Sequence, residues 1–320
     1  MSFRIGVIGA GTHGARYLRH ALHDVPGMTA TALCRRDEDR GRRSAAEFAC
    51  RYHREAEDLI ADPTVVGVVG CTPPSTHFVL AKAVLAAGKP LLLEKPMTGT
   101  LSEAEELARL ADSAPFPLMA AQALRWNPVI LRVKKLLRRL GRIHLVRLAQ
   151  RLAPTSLAWQ RNLCETVGGS VLLTGVHIFD LVRFLTGAEF AAVDSRQARV
   201  LNPVVEDFFL ARASLTDGCR VSLEVSKFTR SRACWLEVVG QEGQLQADYL
   251  AGGILLRIGR EEERFEVSAA APTLPPLLAD WLGSVTDRSV PPVTVHDGLA
   301  TLRVVDACYR SDAAAVEITL

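Results

Sequence analysis

The chain has 320 residues, 48% hydrophobic and 23% charged, which is enough for two domains with substantial cores. Its formal net charge of +3 comes from Arg-rich stretches with acids interspersed, RRDEDRGRRSAAEF and KKLLRRLGR; these read as solvated helix faces, not as a nucleic-acid stripe. Seven scattered cysteines, Cys34, Cys50, Cys71, Cys164, Cys219, Cys234 and Cys308, form no CxxC pair, so neither a disulfide framework nor a zinc site is expected and a reducing cytoplasm is the expected compartment.

The chain opens on a strand-like FRIGVIG without a signal-type apolar core. No run of membrane-spanning length is read in it, so neither a leader nor a membrane contact is expected. Residues 1–122 then alternate apolar runs with amphipathic stretches. THGARYLRHALHD follows the first strand, MTATALC and DEDRGRRSAAEFACRY come next, and VVGVVGC, STHFVLAKAVLAA, PLLLE, LSEAEELARLADS and PLMAAQ complete the series. Strands alternating with helices predict a parallel sheet covered on both faces.

From residue 123 to 320 the pattern changes. NPVILRVKKLLRRLG predicts a helix capped by Asn127, with Pro128 in its first turn and Gly141 at its end. GGSVLLTGVHIFD, from Gly168 to Asp180, predicts an apolar helix with one histidine set into it. FAAVDSRQARV, DFFLARASL, CRVSLEVSKF, CWLEVVG, GQLQADYL and GILLRIG follow as strands joined by TDG and QEG turns, and two helical stretches close the chain. The fold class is α/β: an N-terminal doubly wound parallel sheet, then a C-terminal α+β domain with a largely antiparallel open sheet.

VIGAGTHGARYL places Gly9, Gly11 and Gly14 as GxGxxG between a strand and a helix, the dinucleotide-binding pattern of a Rossmann domain. Gly9 permits the tight turn, Gly11 lets the backbone approach a pyrophosphate, and Gly14 allows close helix–strand packing. Thr12 and His13 complete this cofactor loop, although His13 by position alone reads as an exposed turn residue. Past the second strand, Arg35 and Arg36 stand where an acid would bind a ribose 2′-hydroxyl. A guanidinium there pairs with a 2′-phosphate, so NADP(H) is expected to be preferred over NAD(H). Asp37 reads as a helix cap.

Together with GAGTHG, the stretches CTPPSTHFVLAKAVLAAGKPLLLEKPMTGT and GG…H…D resemble the glucose–fructose oxidoreductase / inositol dehydrogenase / rhizopine-catabolism (Gfo/Idh/MocA) family along nearly the whole chain. Glu94-Lys95-Pro96 is the most specific mark. It sits at the carboxyl end of a strand, where open parallel sheets place ligands, and an ammonium there can stabilise alkoxide character as hydride moves. The resemblance implies a cis Lys95–Pro96 bond and cofactor contacts from Thr72, Pro73, Pro74, His77, Glu94, Lys95 and Gln122; Glu94 reads as orienting the site and Ser75 as a cap of the next helix. It also implies that Arg125 and Asn127 contact cofactor or substrate. Trp126, Trp159 and Arg161 are candidate substrate walls. Arg125 and Arg161 read equally as surface charges and Trp159 as core.

The expected catalytic residues are Lys95, His177 and Asp180. Many members of the family carry an acid four residues before the histidine, on the same helical face; this chain has Leu173 there. Asp180, one turn along, and Thr174 are the remaining candidates to orient the imidazole. The resemblance therefore implies an NAD(P)-dependent dehydrogenase acting on a secondary alcohol or ketone of a sugar, cyclitol or sugar derivative, with no nucleic-acid partner. It further implies a homo-dimer or homo-tetramer formed through the C-terminal sheet. Two other functions stay open on the sequence: a non-catalytic NADP(H)-binding sensor or subunit, and a redox-neutral, glycosidase-type enzyme on the same fold.

Overall fold

A computed structural model describes residues 2–320. The chain divides into two compact units, one of residues 1–123 with 273–299, the other of residues 124–272 with 300–320. The first unit therefore receives a late return of the chain, which the alternating pattern of its first 122 residues does not announce.

In the first unit, β1 (Phe3–Ile8), α1 (Thr12–His23), β2 (Met28–Cys34), α2 (Glu38–Glu47), β3 (Arg51–His53), α3 (Ala56–Ala61), β4 (Gly67–Gly70), α4 (His77–Ala86), β5 (Leu91–Glu94), α5 (Leu101–Asp112) and β6 (Leu118–Ala121) alternate. The six strands lie in the order β3-β2-β1-β4-β5-β6, all parallel, which is the doubly wound Rossmann arrangement with its switch point between β1 and β4. β4, β5 and β6 are fully buried, which is why they read as unbroken apolar runs. Asp37 caps α2 by accepting from the Arg40 amide, as its position predicts. Thr100 and Glu103 form a reciprocal capping box on α5.

In the second unit, α6 (Pro128–Leu136), β7 (Ile143–Arg151), α7 (Leu163–Thr166) and α8 (Val176–Thr186) precede the strands β8 (Phe190–Ala198), β9 (Phe208–Leu215), β10 (Arg220–Ser226), β11 (Ala233–Gly240), β12 (Gly243–Asp248), β13 (Gly253–Ile258) and β14 (Glu261–Glu266). Asn127 caps α6 through the amides of Val129 and Ile130, with Pro128 at the first position. A 3-10 turn continues α6 to Leu140, and Gly141 then reverses the chain at φ +65.

The remaining elements are α9 (Leu274–Thr286), α10 (Val295–Ala314) and β15 (Ile318–Thr319). α9 returns to the first unit, where Trp281, fully buried, meets Phe3 edge-to-face at 5.6 Å. Val293 and Thr294 lie along β6, the Ala120 amide donating to the Val293 carbonyl, so this sheet edge is covered.

The second sheet has nine strands in the order β14-β13-β12-β11-β7-β10-β9-β8-β15. It is antiparallel except for β7 and β10, which run parallel. β7, β14, β15 and, in the first unit, β3 are strands beyond those named from the sequence. Residues 163–186 are long and apolar enough to cross a bilayer by length and composition, a run the sequence reading passed over. Most of that stretch, 78% of its apolar window, is buried within the fold as a core helix would be.

Candidate active site

The loop from Gly9 to Gly14 fits a dinucleotide pyrophosphate. Gly9 holds φ +91, and a Cβ on it would stand 2.6 Å from the Cys71 backbone; a Cβ on Gly14 would stand 2.4 Å from the Gly9 carbonyl. Both glycines are thus forced by backbone packing. A Cβ on Gly11 would meet nothing within 4 Å, so the loop opens onto free space there. No side chain caps the start of α1 and no acid lies in its first turn, which leaves amide donors for an anion.

At the end of β5 the Glu94 carboxylate is held from three sides. Its Oε1 accepts from the Tyr17 hydroxyl at 2.7 Å and lies 2.6 Å from His13 Nε2, while its Oε2 accepts from the Lys95 backbone amide at 3.0 Å. Burial alone would raise the Glu94 pKa, but His13, Lys95 and Tyr17 bring it down to about 2. Glu94 therefore stays anionic. Burial pulls the Lys95 ammonium below its usual range and the Glu94 charge partly restores it. Lys95 itself keeps partial exposure, and the Lys95–Pro96 bond is cis, as the resemblance implies. His13 does more than sit in an exposed turn: it links the glycine loop to the strand end that bears Lys95.

His77 is corrected in role. It is the first residue of α4 but is 1% exposed, and its two ring nitrogens each lie 2.7 Å from a backbone carbonyl, Thr72 on one side and Pro96 on the other. It staples the end of β4 to the turn after β5, a structural position instead of the expected cofactor contact. Burial pushes its pKa down while the two carbonyls and Glu94 oppose that shift. Ser75 does not cap α4: Pro74–Thr76 form a 3-10 turn, where Thr76 Oγ1 donates to the Pro73 carbonyl at 2.9 Å and lies 2.7 Å from the Thr72 hydroxyl. Arg35 is half-buried and donates to the Ala10 carbonyl at 3.0 Å; Arg36 is exposed. Gln122 is buried at the end of β6.

In the second unit, GGSVLLTGVHIFD is not one regular α-helix. Val171–Gly175 form a π-turn before α8. Its i→i+5 pairing moves the residue one turn below His177 from Leu173 towards Leu172. Both are buried leucines, so the acid is absent in either register. Among residues 171–182, His177 is the one position that is not fully buried. A core histidine would be covered; this one keeps partial exposure.

The start of that helix is anchored by Glu206, which sequence reasoning missed. Its Oε1 accepts from the amides of Gly169 and Val171, both at 3.1 Å, and from the Tyr309 hydroxyl at 2.8 Å, while its carbonyl accepts from the Ser170 amide at 2.7 Å. A Cβ on Gly168 would stand 2.5 Å from the Tyr309 hydroxyl, and one on Gly169 2.0 Å from the Glu206 carbonyl. The Gly-Gly pair was the available signal, since it marks a close approach without naming the partner.

Asp180 and Arg125 are corrected together. The Arg125 guanidinium grips Asp180 bidentately in the interior, and its carbon lies 5.3 Å from the centre of the Phe184 ring. Arg125 is therefore neither a surface charge nor an uncommitted substrate ligand, and Asp180 is first an ion-pair partner. Trp126 is a core side chain at 8% exposure, so it is withdrawn as a substrate wall. Trp159 is half-exposed in the turn Ala158–Arg161, and Arg161 is exposed, its Nη2 3.4 Å from the Thr155 carbonyl. These two remain accessible.

Residues 3–122 match the family model described as "oxidoreductase family, NAD-binding Rossmann fold", and residues 134–320 match "oxidoreductase family, C-terminal alpha/beta domain". The chain belongs to the Gfo/Idh/MocA family. It is an NAD-binding oxidoreductase on the Rossmann fold. It is 28% identical to the D-apiose dehydrogenase of Paraburkholderia graminis over 97% of this chain and 87% of that protein. It is 27% identical to inositol 2-dehydrogenase 1 of Saccharopolyspora erythraea over 100% of this chain and 97% of that one. Among solved structures, GenD2 from gentamicin A biosynthesis, in complex with NAD, superposes with a TM-score of 0.90 at 26% identity, covering 100% of this chain and 96% of that one.

Proposed function

We propose that the protein transfers hydride reversibly between NADP(H) and a secondary alcohol or ketone of a sugar, cyclitol or sugar derivative. The observation that carries this is Lys95, partly exposed at the end of β5, with the buried Glu94 anion against its own amide. When bound, the nicotinamide supplies the hydride acceptor or donor. Lys95 hydrogen-bonds the substrate oxygen and stabilises its alkoxide character. His177, the one position of its helix segment that keeps partial exposure, takes or returns the hydroxyl proton. Leucine stands at both 172 and 173, so the acid expected one turn before the histidine is absent.

The substrate class is supported by the names of the relatives, which are dehydrogenases of an apiose and of inositol. Trp159 offers a half-exposed ring for a sugar face, and Arg161 a charge for a carboxylate or phosphate. NADP(H) is favoured because Arg35 and Arg36 follow β2 and the first carboxylate after them, Asp37, is spent on the α2 cap. Pairing of copies through the nine-stranded sheet is part of the same proposal, and sedimentation velocity tests it. The function is tested by assaying polyols, inositols and keto-sugars with both cofactors. Net cofactor reduction or oxidation supports it. Product formed without net cofactor change indicates the redox-neutral route, and binding without any turnover indicates a sensor.

A further inference from the structure

The arm that joins β7 to the helix of His177 is fixed at its ends. At the near end the Leu152 amide donates to the Ser226 carbonyl at 2.8 Å, and from residue 152 to residue 165 no residue is buried. Along the arm, bonds turn inward: the Leu157 amide donates to Thr155 Oγ1, the Gln160 amide to the Leu157 carbonyl, and Asn162 caps α7 by accepting from the Cys164 amide. The arm carries Trp159 and Arg161. Full burial begins only at Thr166.

At the far end the chain turns a strained corner. Val167 has φ +65 and ψ −37, a positive-φ conformation that a β-branched residue keeps only where its surroundings force it. On the arm side, the Val167 amide donates to the Leu163 carbonyl at 2.9 Å and Thr166 Oγ1 to the Gly168 carbonyl at 2.7 Å. On the helix side, Glu206 and Tyr309 close on residues 168–171. Glu206 Oε1 takes the Gly169 and Val171 amides and the Tyr309 hydroxyl, and the Glu206 carbonyl takes the Ser170 amide. These two residues also fill the space where Gly168 and Gly169 lack a Cβ, so the backbone there cannot slide towards them. Burial keeps the Tyr309 phenol protonated, which makes it the donor.

We propose that Glu206 and Tyr309 are positioning residues for substrate selection: by clamping residues 168–171 they hold the Val167 corner in its strained form, and so set the arm that presents Trp159 and Arg161. The proposal rests on the substrate-wall role given to those two residues in the proposed function. Without the clamp, Val167 relaxes out of positive φ and carries the end of the arm with it, since the arm has no buried residue before Thr166 to resist. The effect falls on substrate binding and selectivity. Hydride and proton transfer stay with the nicotinamide, Lys95 and His177.

The test combines kinetics with hydrogen exchange. With the best substrate among the polyols, inositols and keto-sugars, Glu206→Ala should raise KM by about tenfold, and Tyr309→Phe by less, with kcat and the cofactor dissociation constant within about twofold of normal. Glu206→Gln, which keeps an acceptor for the amides, should stay near the natural protein. Val167→Gly, free to hold positive φ, should bring the KM of Glu206→Ala back to within about threefold of normal, a rescue that a role in stability alone does not produce. Should Glu206→Ala not fold, Tyr309→Phe with and without Val167→Gly makes the same comparison. An unchanged KM, a loss in kcat instead of KM, or no rescue by Val167→Gly overturns the inference. Exchange of the amides of residues 152–171 reads the clamp without turnover: it should quicken in Tyr309→Phe, and unchanged exchange overturns the clamp. Absence of turnover by the natural protein on every compound overturns the proposed function and the substrate role with it, while quickened exchange leaves the clamp standing.

Discussion

Both arms of the Arg125 guanidinium lie on Asp180, Nε 2.8 Å from Oδ2 and Nη2 2.6 Å from Oδ1, with the two side chains 10% and 1% exposed. Asp180 stands one helical turn beyond His177, so the pair fixes the helix that carries the expected proton relay. Removing one partner leaves the other charged in the interior, whereas replacing both with apolar groups does not. Asp180→Asn is therefore expected to destabilise the protein by about 3–5 kcal/mol in urea unfolding, and the double variant Arg125→Met/Asp180→Leu to recover most of that. A loss under about 1 kcal/mol would show that the pair is not a structural anchor.

Glu94 makes stability fall in acid. Its carboxyl sits at about 2 in the folded protein against its ordinary 4.5, so the stabilisation is complete above the higher value and is lost as pH falls through the lower one. The depression is worth about 3 kcal/mol. The stability gap between the natural protein and Glu94→Gln should therefore narrow as unfolding is followed downward through this window. A constant gap would mean that the carboxylate is not held by its three partners.

His177→Ala should lower kcat by on the order of a hundredfold and flatten its pH profile, with the cofactor dissociation constant unchanged. A profile with the same inflections in the variant would assign the proton step to another group.

Dissociation constants for NADP(H) and NAD(H) bear on Arg35 and Arg36. Tighter NADP(H) binding is expected, with the preference lost in Arg36→Ala, because a bidentate phosphate contact is worth about 1.5–3 kcal/mol. Equal affinities in the natural protein would mean that both arginines serve the loop and solvent alone, as Arg35 already does in part at the Ala10 carbonyl.

What could be read from the sequence was local. The glycine loop, the Glu94-Lys95-Pro96 strand end, the Asp37 and Asn127 caps and the alternating strands each carry their cause within a few residues. What could not be read depends on partners far along the chain. Glu206 and Tyr309 close on the Gly168–Gly169 pair from 37 and more positions away, and His13 reaches Glu94 across 81. The π-turn at Val171–Gly175 leaves no trace in an apolar run that suits either helix. IHLVRLAQR mixes charge with apolar residues because β7 is central in the sheet yet exposes His144, Arg147 and Arg151, and EEERFE is a strand at the sheet edge, where charge is tolerated.

Lys95 is the centre of the account, and the reduced-nicotinamide absorbance signal of Lys95→Ala tests it most directly. With a sugar or cyclitol that the natural protein oxidises, the variant should lose on the order of a thousandfold in kcat while binding NADPH within about twofold of normal. Near-normal turnover by Lys95→Ala would contradict the account.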